Sequence, residues 1–147
     1  MARYQVFRLY VDGASKGNPG EAGIGAILLD REGKALFRLG RYIGRATNNQ
    51  AEYRGLILGL EKALAMGRSD LVVLTDSELL EKQIKGEYRV KDETLKRYHR
   101  RVCHLLESFR SCRIQLIPRE ENREADRLAS QAAKRMQKSV VRSQKPE

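Results

Sequence analysis

Residues 70–76 read "DLVVLTD". Four successive apolar residues stand between two aspartates, as in a short parallel strand buried on both faces. The segments before it have a different character. Residues 4–12 ("YQVFRLYVD"), 22–30 ("AGIGAILLD") and 35–43 ("ALFRLGRYI") are aromatic and aliphatic runs that read as strands. The turn "REGK" joins the last two into a hairpin, and "GASKGNPGE" (13–21) reads as a loop leading into it. Three antiparallel strands therefore precede the 70–76 strand, and only a mixed sheet accommodates both kinds.

The remaining segments supply helices to cover that sheet. Residues 50–66 have helical length and spacing, with Asn48 or Asn49 as the expected cap and Gly67 as the stop. A short helix is expected over 77–84, then a loop, "KGEYRVKD" (85–92). Over 93–110, Leu95, Tyr98, Val102, Leu105, Leu106 and Phe109 share one helical face. "RIQLIP" (113–118) reads as a fifth strand, and "REENREADRLASQAAKR" (119–135) supplies the last helix. The order βββαβααβα calls for an α/β fold, a mixed sheet flanked by helices. Ligands in such sheets gather at the carboxyl ends of the strands. One domain is expected over 1–137, with a polar, flexible tail at 138–147.

The chain has 147 residues, 41% hydrophobic and 33% charged, as in soluble globular domains. Its N-terminus lacks the pattern of a signal peptide and no apolar run has the length of a membrane span. The expectation is a cytoplasmic protein with no membrane contact. Two cysteines are too few for a disulfide framework, and neither they nor His99 and His104 have zinc spacing. Net charge is +10, and 18 of the 29 basic residues lie in 77–147. Such an excess favours a polyanionic partner, nucleic acid first. The glycine-rich "GASKGNPG" and "GEAGIG" match neither a phosphate loop nor a dinucleotide fingerprint.

Four acids occupy unusual places. Asp12 and Asp76 each end a strand, where an aspartate also serves as a turn former. Glu52 lies on the same helical stripe as Leu56 and Leu60, four and eight residues on, so it faces the sheet. In the last helix, Ala125, Leu128, Ala129, Ala132, Ala133 and Met136 form the apolar stripe. Glu124, Arg123 and Arg127 point away from it, whereas Asp126 falls about 60° from its centre. Buried carboxylates need arginine partners or divalent cations. Oxygen ligands select hard ions such as Mg²⁺ or Mn²⁺, and a carboxylate cluster beside a polyanion suits two-metal phosphodiester chemistry.

Along residues 4–136 the chain resembles type 1 ribonuclease H. The resemblance rests on "YVDGASKGNPGEAGIGAIL" (10–28), "ATNNQAEYRGLILGL" (46–60), "LTDSELL" (74–80), "GEYRVKDETL" (86–95) and "ENREADRLASQAA" (121–133), in that order and spacing. It implies a five-stranded mixed sheet, three strands antiparallel and two parallel, and endonucleolytic cleavage of the RNA strand of RNA/DNA hybrids. By position, Asp12, Glu52, Asp76 and Asp126 match the four catalytic metal ligands, which hold two Mg²⁺ ions, or Mn²⁺, in the substrate complex. Asn18, Asn48 and Asn49 match residues that hydrogen-bond the hybrid in its minor groove. Arg45 and Thr47 match part of a pocket for a phosphate of the DNA strand. The products implied are 5′-phosphate and 3′-hydroxyl ends, from a monomeric enzyme.

The chain departs from this pattern at several positions. The loop "PREEN" (118–122) has no histidine where many relatives carry one, and Arg119 is its stand-in. Asp92 stands where relatives often have asparagine, and Glu78 replaces an amide. The segment 84–94 is too short for the extra basic helix of some relatives. These departures leave room for an alternative, a module of the same fold that holds hybrid or double-stranded RNA without cutting. Another nuclease on the same sheet, such as a junction resolvase, is a third class.

Overall fold

The computed structural model describes residues 6–144, with side chains described through Arg135. Tyr4 and Gln5 of the first expected strand, the Met136 side chain and residues 145–147 lie outside this description. The strands are β1 (Phe7–Gly17), β2 (Gly20–Leu29), β3 (Ala35–Ala46), β4 (Asp70–Thr75) and β5 (Ser111–Leu116). The helices are α1 (Asn48–Ala65), α2 (Glu78–Ile84), α3 (Glu93–Leu106) and α4 (Arg123–Gln144), with a 3₁₀ turn at Arg119–Glu121. One five-stranded sheet has the order β3-β2-β1-β4-β5. β1–β2 and β2–β3 are antiparallel, and β1–β4 and β4–β5 are parallel. The "DLVVLTD" segment is thus the strand that turns an antiparallel meander into a mixed sheet, and Leu71–Thr75 are all buried.

The first hairpin differs from the sequence expectation. "GASKGNPGE" is not a loop, because β1 and β2 stay paired from Gly13↔Ile24 out to Gly17↔Gly20. Only Asn18 and Pro19 form the turn. Turn-forming residues fill this stretch, but most of them tolerate a strand, and Gly17 alone in its β1 half needs the left-handed conformation, at φ 112°.

α1 is capped by Thr47 rather than by an asparagine. Its hydroxyl accepts from the Gln50 amide at 3.1 Å, and the Gln50 side chain accepts from the Thr47 amide at 3.0 Å, a reciprocal capping box. Asn48 and Asn49 are pushed into the first turn, with their amides free for other work. The helix stops as expected at Gly67, φ 76°, where Arg68 N–H reaches Ala63 O and Gly67 N–H reaches Leu64 O.

Helices cover both faces of the sheet. On one, α1, α2 and α3 bury Tyr53, Leu56, Leu60, Leu80 and Val102 against Leu9, Val11, Leu28 and Val73. On the other, α4 crosses β1–β3 through Ala125, Ala129 and Ala132, all 1% exposed or less. It approaches so closely that a β-carbon at Gly25 would overlap the Ala125 carbonyl oxygen. α4 is helical through Gln144, so residues 138–144 continue the helix. Among the described residues no helix is long and apolar enough to cross a membrane.

Candidate active site

The parallel β1–β4 pair sets the site. Tyr10 pairs with Leu74 as the last pair of the parallel ladder, so two residues further on Asp12 and Asp76 stand level where the two strands part. Asp76 follows the end of β4 as expected, whereas Asp12 lies mid-strand, because β1 continues to Gly17 against β2. Glu52 reaches the same point from the opposite direction, on the first turns of α1. Gly13 makes this approach possible, since a β-carbon there would lie 2.5 Å from the Glu52 amide nitrogen. Asp12, Glu52 and Asp76 each offer an oxygen, and these oxygens all lie within 4.8 Å of one another. Three of the four acids expected from the sequence therefore converge. The fourth, Asp126, is near enough to interact with Asp12 through its side chain, but it is solvent-exposed at the rim.

The site is electrostatically uncomfortable. Burial, then the charge of Asp76 and the nearby Asp126, push the Asp12 carboxyl up to about 8, against an opposing hydrogen bond from the Gly13 amide. Burial, followed by the charges of Asp12 and Asp76, holds Glu52 well above the usual carboxylate range. Asp76 is raised by burial and relieved by the Asn122 amide and the Arg119 charge. Among the described residues, none of these three acids enters an ion pair. Glu52 Oε1 is buried with no hydrogen-bond partner at all. An all-carboxylate set without cationic partners, with one orphaned buried oxygen, fits a hard divalent cation and not an arginine.

Two of the residues expected to touch substrate are tied together by hydrogen bonds. Asn48 Oδ1 accepts from the Ser15 amide at 3.0 Å, and Asn18 Oδ1 accepts from the Asn48 amide at 2.9 Å. Ser15 Oγ also donates to Ala46 O at 2.8 Å, tying the hairpin arm to the β3–α1 corner. Asn18, Asn48, Asn49 and Arg45 are exposed, and Thr47 is half-buried within its cap. Arg119 sits exposed on the 3₁₀ turn, close enough for its charge to act on Asp76. Asp92 caps α3, accepting from the Leu95 amide at 2.9 Å. Glu78 accepts from the Tyr88 hydroxyl at 2.9 Å.

Two participants escaped the sequence reading. Ser15 lies in the stretch whose turn-forming residues predict a loop. Asn122, 1% exposed, looked like part of a charged lead-in, yet its Nδ2 donates to Val11 O at 2.9 Å and lies 3.5 Å from Asp76 Oδ2. Its place four residues before Asp126, at the start of a helix, was the available signal, and that place ordinarily marks a cap.

Comparison with known proteins bears on this arrangement. The family model described as "Reverse transcriptase-like" matches residues 10–132. A ribonuclease HI from Halobacterium salinarum is 45% identical over 123 residues, which are 84% of this chain and 62% of that protein. The chain thus spans less than two thirds of that relative's length. The crystal structure of RNase H1 from the same archaeon superposes with TM-score 0.85 at 43% identity, covering 87% of this chain and 97% of that one. LC11-RNase H1 in complex with RNA/DNA hybrid superposes with TM-score 0.83 at 38% identity, covering 88% and 97%.

Proposed function

Because the chain belongs to the type 1 ribonuclease H family, we propose that it is an endonuclease that hydrolyses the RNA strand of RNA/DNA hybrids, leaving 5′-phosphate and 3′-hydroxyl ends. The observation that carries this reading is the trio of unpaired carboxylates, Asp12, Glu52 and Asp76, with oxygens within 4.8 Å just past the end of the parallel β1–β4 ladder. A relative 38% identical in sequence is known in complex with RNA/DNA hybrid.

In this reading the three acids, with Asp126 at the rim, hold Mg²⁺, with Mn²⁺ as a substitute and two ions in the substrate complex. What the ions supply when bound is activation of the attacking water and stabilisation of the leaving 3′ oxygen. The chain's own residues orient the hybrid. Backbone amides occupy Asn18 Oδ1 and Asn48 Oδ1, so the NH₂ groups of both are left to donate. Donors suit the minor groove, which presents base acceptors and, on the RNA strand, 2′-hydroxyls. Asn49, next to Asn48 in sequence, adds another exposed amide. Thr47 accepts the Gln50 amide with its oxygen and keeps its hydroxyl proton for a phosphate of the DNA strand, with the exposed Arg45 two residues before it adding positive charge. Arg119 cannot shuttle protons at neutral pH. Its charge beside Asp76 suits it to holding and releasing the cut phosphate. The enzyme acts as a monomer in the cytoplasm: all four acids come from one chain, and both cysteines are free thiols.

The test is a panel of labelled hybrid, duplex DNA, double-stranded RNA and branched DNA, each with Mg²⁺ or Mn²⁺, with Asp76→Asn alongside. The expected result is metal-dependent cleavage of the RNA in the hybrid, lost in the variant. Folded protein that binds hybrid and cuts it in neither metal would overturn the proposal in favour of a binding module. Double-stranded RNA cut as fast as hybrid would widen the substrate class.

A further inference from the structure

We infer that Asn122 is a positioning residue that locks the elements bearing Asp12, Asp76, Asp126 and Arg119 into one frame. This rests on the proposed metal-dependent nuclease activity. The side-chain amide donates to Val11 O at 2.9 Å, one residue before Asp12 and 111 residues away in sequence. The same nitrogen lies 3.5 Å from Asp76 Oδ2. The backbone of Asn122 makes the other two links. Its carbonyl accepts the Asp126 amide at 3.0 Å, and its amide donates to Arg119 O at 3.0 Å. One residue thus joins the middle of β1, the acid after β4, the first turn of α4 and the 3₁₀ turn.

Two observations separate this role from ordinary capping or packing. A capping asparagine uses its side-chain oxygen, which accepts a first-turn amide. Here Oδ1 is buried with no hydrogen bond, and only the NH₂ end is engaged. A leucine of similar size would fill the space without a buried unsatisfied acceptor, so packing alone does not call for asparagine. The charge balance points the same way. An aspartate would set another negative charge against Asp76, in a cluster whose acids already oppose one another. The neutral amide supplies a donor at no cost in charge. Asn122 touches no substrate in this scheme; it acts through the acids it orients. Partners of this kind typically change metal affinity or activity by about 10–100-fold when removed.

The experiment compares the full chain with Asn122→Leu and Asn122→Ser. Folding is checked by circular dichroism, Mn²⁺ affinity by calorimetry without nucleic acid, hybrid affinity in EDTA, and cleavage as separate kcat and KM. For Asn122→Leu the expected result is a kcat and a Mn²⁺ affinity each lower by about 10-fold or more, with KM and hybrid affinity within about twofold. Asn122→Ser, which keeps a shorter donor, should lose less. A folded Asn122→Leu with wild-type Mn²⁺ affinity and kcat would overturn the inference, as would a rise in KM alone. If Asn122→Leu does not fold, Asn122→Ser decides by the same two criteria. Wild-type protein that cuts no hybrid would sink the proposed function alone, because the Mn²⁺ titration still decides on Asn122.

Discussion

The backbone of Gly13 lies against that of Glu52: a β-carbon on the glycine would stand 2.5 Å from the Glu52 amide nitrogen and 2.5 Å from the Ala51 carbonyl oxygen. Neither obstacle is a side chain that can swing away. The absence of a side chain at Gly13 is therefore what lets α1 deliver an acid to Asp12 in the middle of β1. Gly13→Ala must push the helix off the strand, at a cost of about 1–3 kcal/mol in a denaturant melt. It should also slow hybrid cleavage about 100-fold, since displacements near 1 Å have that effect on reacting groups. Wild-type cleavage by a destabilised variant would contradict this account.

Asp12 illustrates a trade between stability and activity. The residue is 4% exposed, and its carboxyl is raised to about 8 by burial and by neighbouring acids. Asp12→Asn removes that repulsion while keeping the shape. Without divalent ions the variant should be more stable than the wild type by about 0.5–2 kcal/mol. Its cleavage of hybrid should fall by about 10²–10³-fold. Mn²⁺ should raise the melting temperature of the wild type and raise that of the variant much less. A thermal melt with and without Mn²⁺ measures both effects.

The same acids fix the sign of the pH dependence. Asp12, Glu52 and Asp76 all have folded-state pKa values above their unfolded ones. Between the ordinary carboxylate range near 4 and the Asp12 value of about 8, the folded protein binds more protons than the unfolded chain. Stability of the metal-free protein should therefore rise as pH falls from 8 towards 5. Below that window Asp70 and Glu81, lowered by Arg110 and by Lys85 respectively, work in the opposite sense. Mn²⁺ must displace the protons held by the site, so its binding near pH 7 should release them. Calorimetry in buffers of different ionisation enthalpy reads that release, and an enthalpy independent of buffer would contradict it.

These particulars show why the sequence was a good guide in some places and a poor one in others. Asp76 was legible because its strand ends where apolar residues give way to turn formers; the same change marked Asp12, although β1 in fact runs on past it to Gly17. Glu52 was legible because period 3.6 placed it over Leu56 and Leu60. Asp126 was placed on the margin of the α4 stripe, and it is in fact exposed, near enough to interact with Asp12, while the stripe residues Ala125 and Ala129 are buried. The β1–β2 arms were misread because Gly, Asn and Ser signal turns whether or not a partner strand exists. The α1 cap was assigned one or two residues late, since Thr47, Asn48 and Asn49 are all good caps and only Thr47 has Gln50 three residues on. Asn122 was illegible in principle: its partner Val11 is 111 residues away, and no local pattern encodes that contact.

Asp92 is the departure whose role the structure redefines. The resemblance leads one to expect a phosphate pocket here with an asparagine, and an acid in its place would repel a phosphate. Its side chain, however, is occupied in capping α3, with Oδ2 accepting from the Leu95 amide at 2.9 Å. Asparagine and aspartate are about equal as caps, so Asp92→Asn should change stability by less than about 0.5 kcal/mol. Asp92→Ala should cost about 1 kcal/mol, because no acceptor remains for that amide. Binding should separate the two variants. Asp92→Asn exchanges a negative charge for an NH₂ donor next to Lys91, so hybrid affinity should rise severalfold and most clearly at low salt, where a repelled phosphate is least screened. Asp92→Ala removes the charge without adding a donor and should gain less. Titrations at two salt concentrations, with melts of both variants, measure the pair of effects. Hybrid binding that weakens in Asp92→Asn would show that the carboxylate does more than cap the helix.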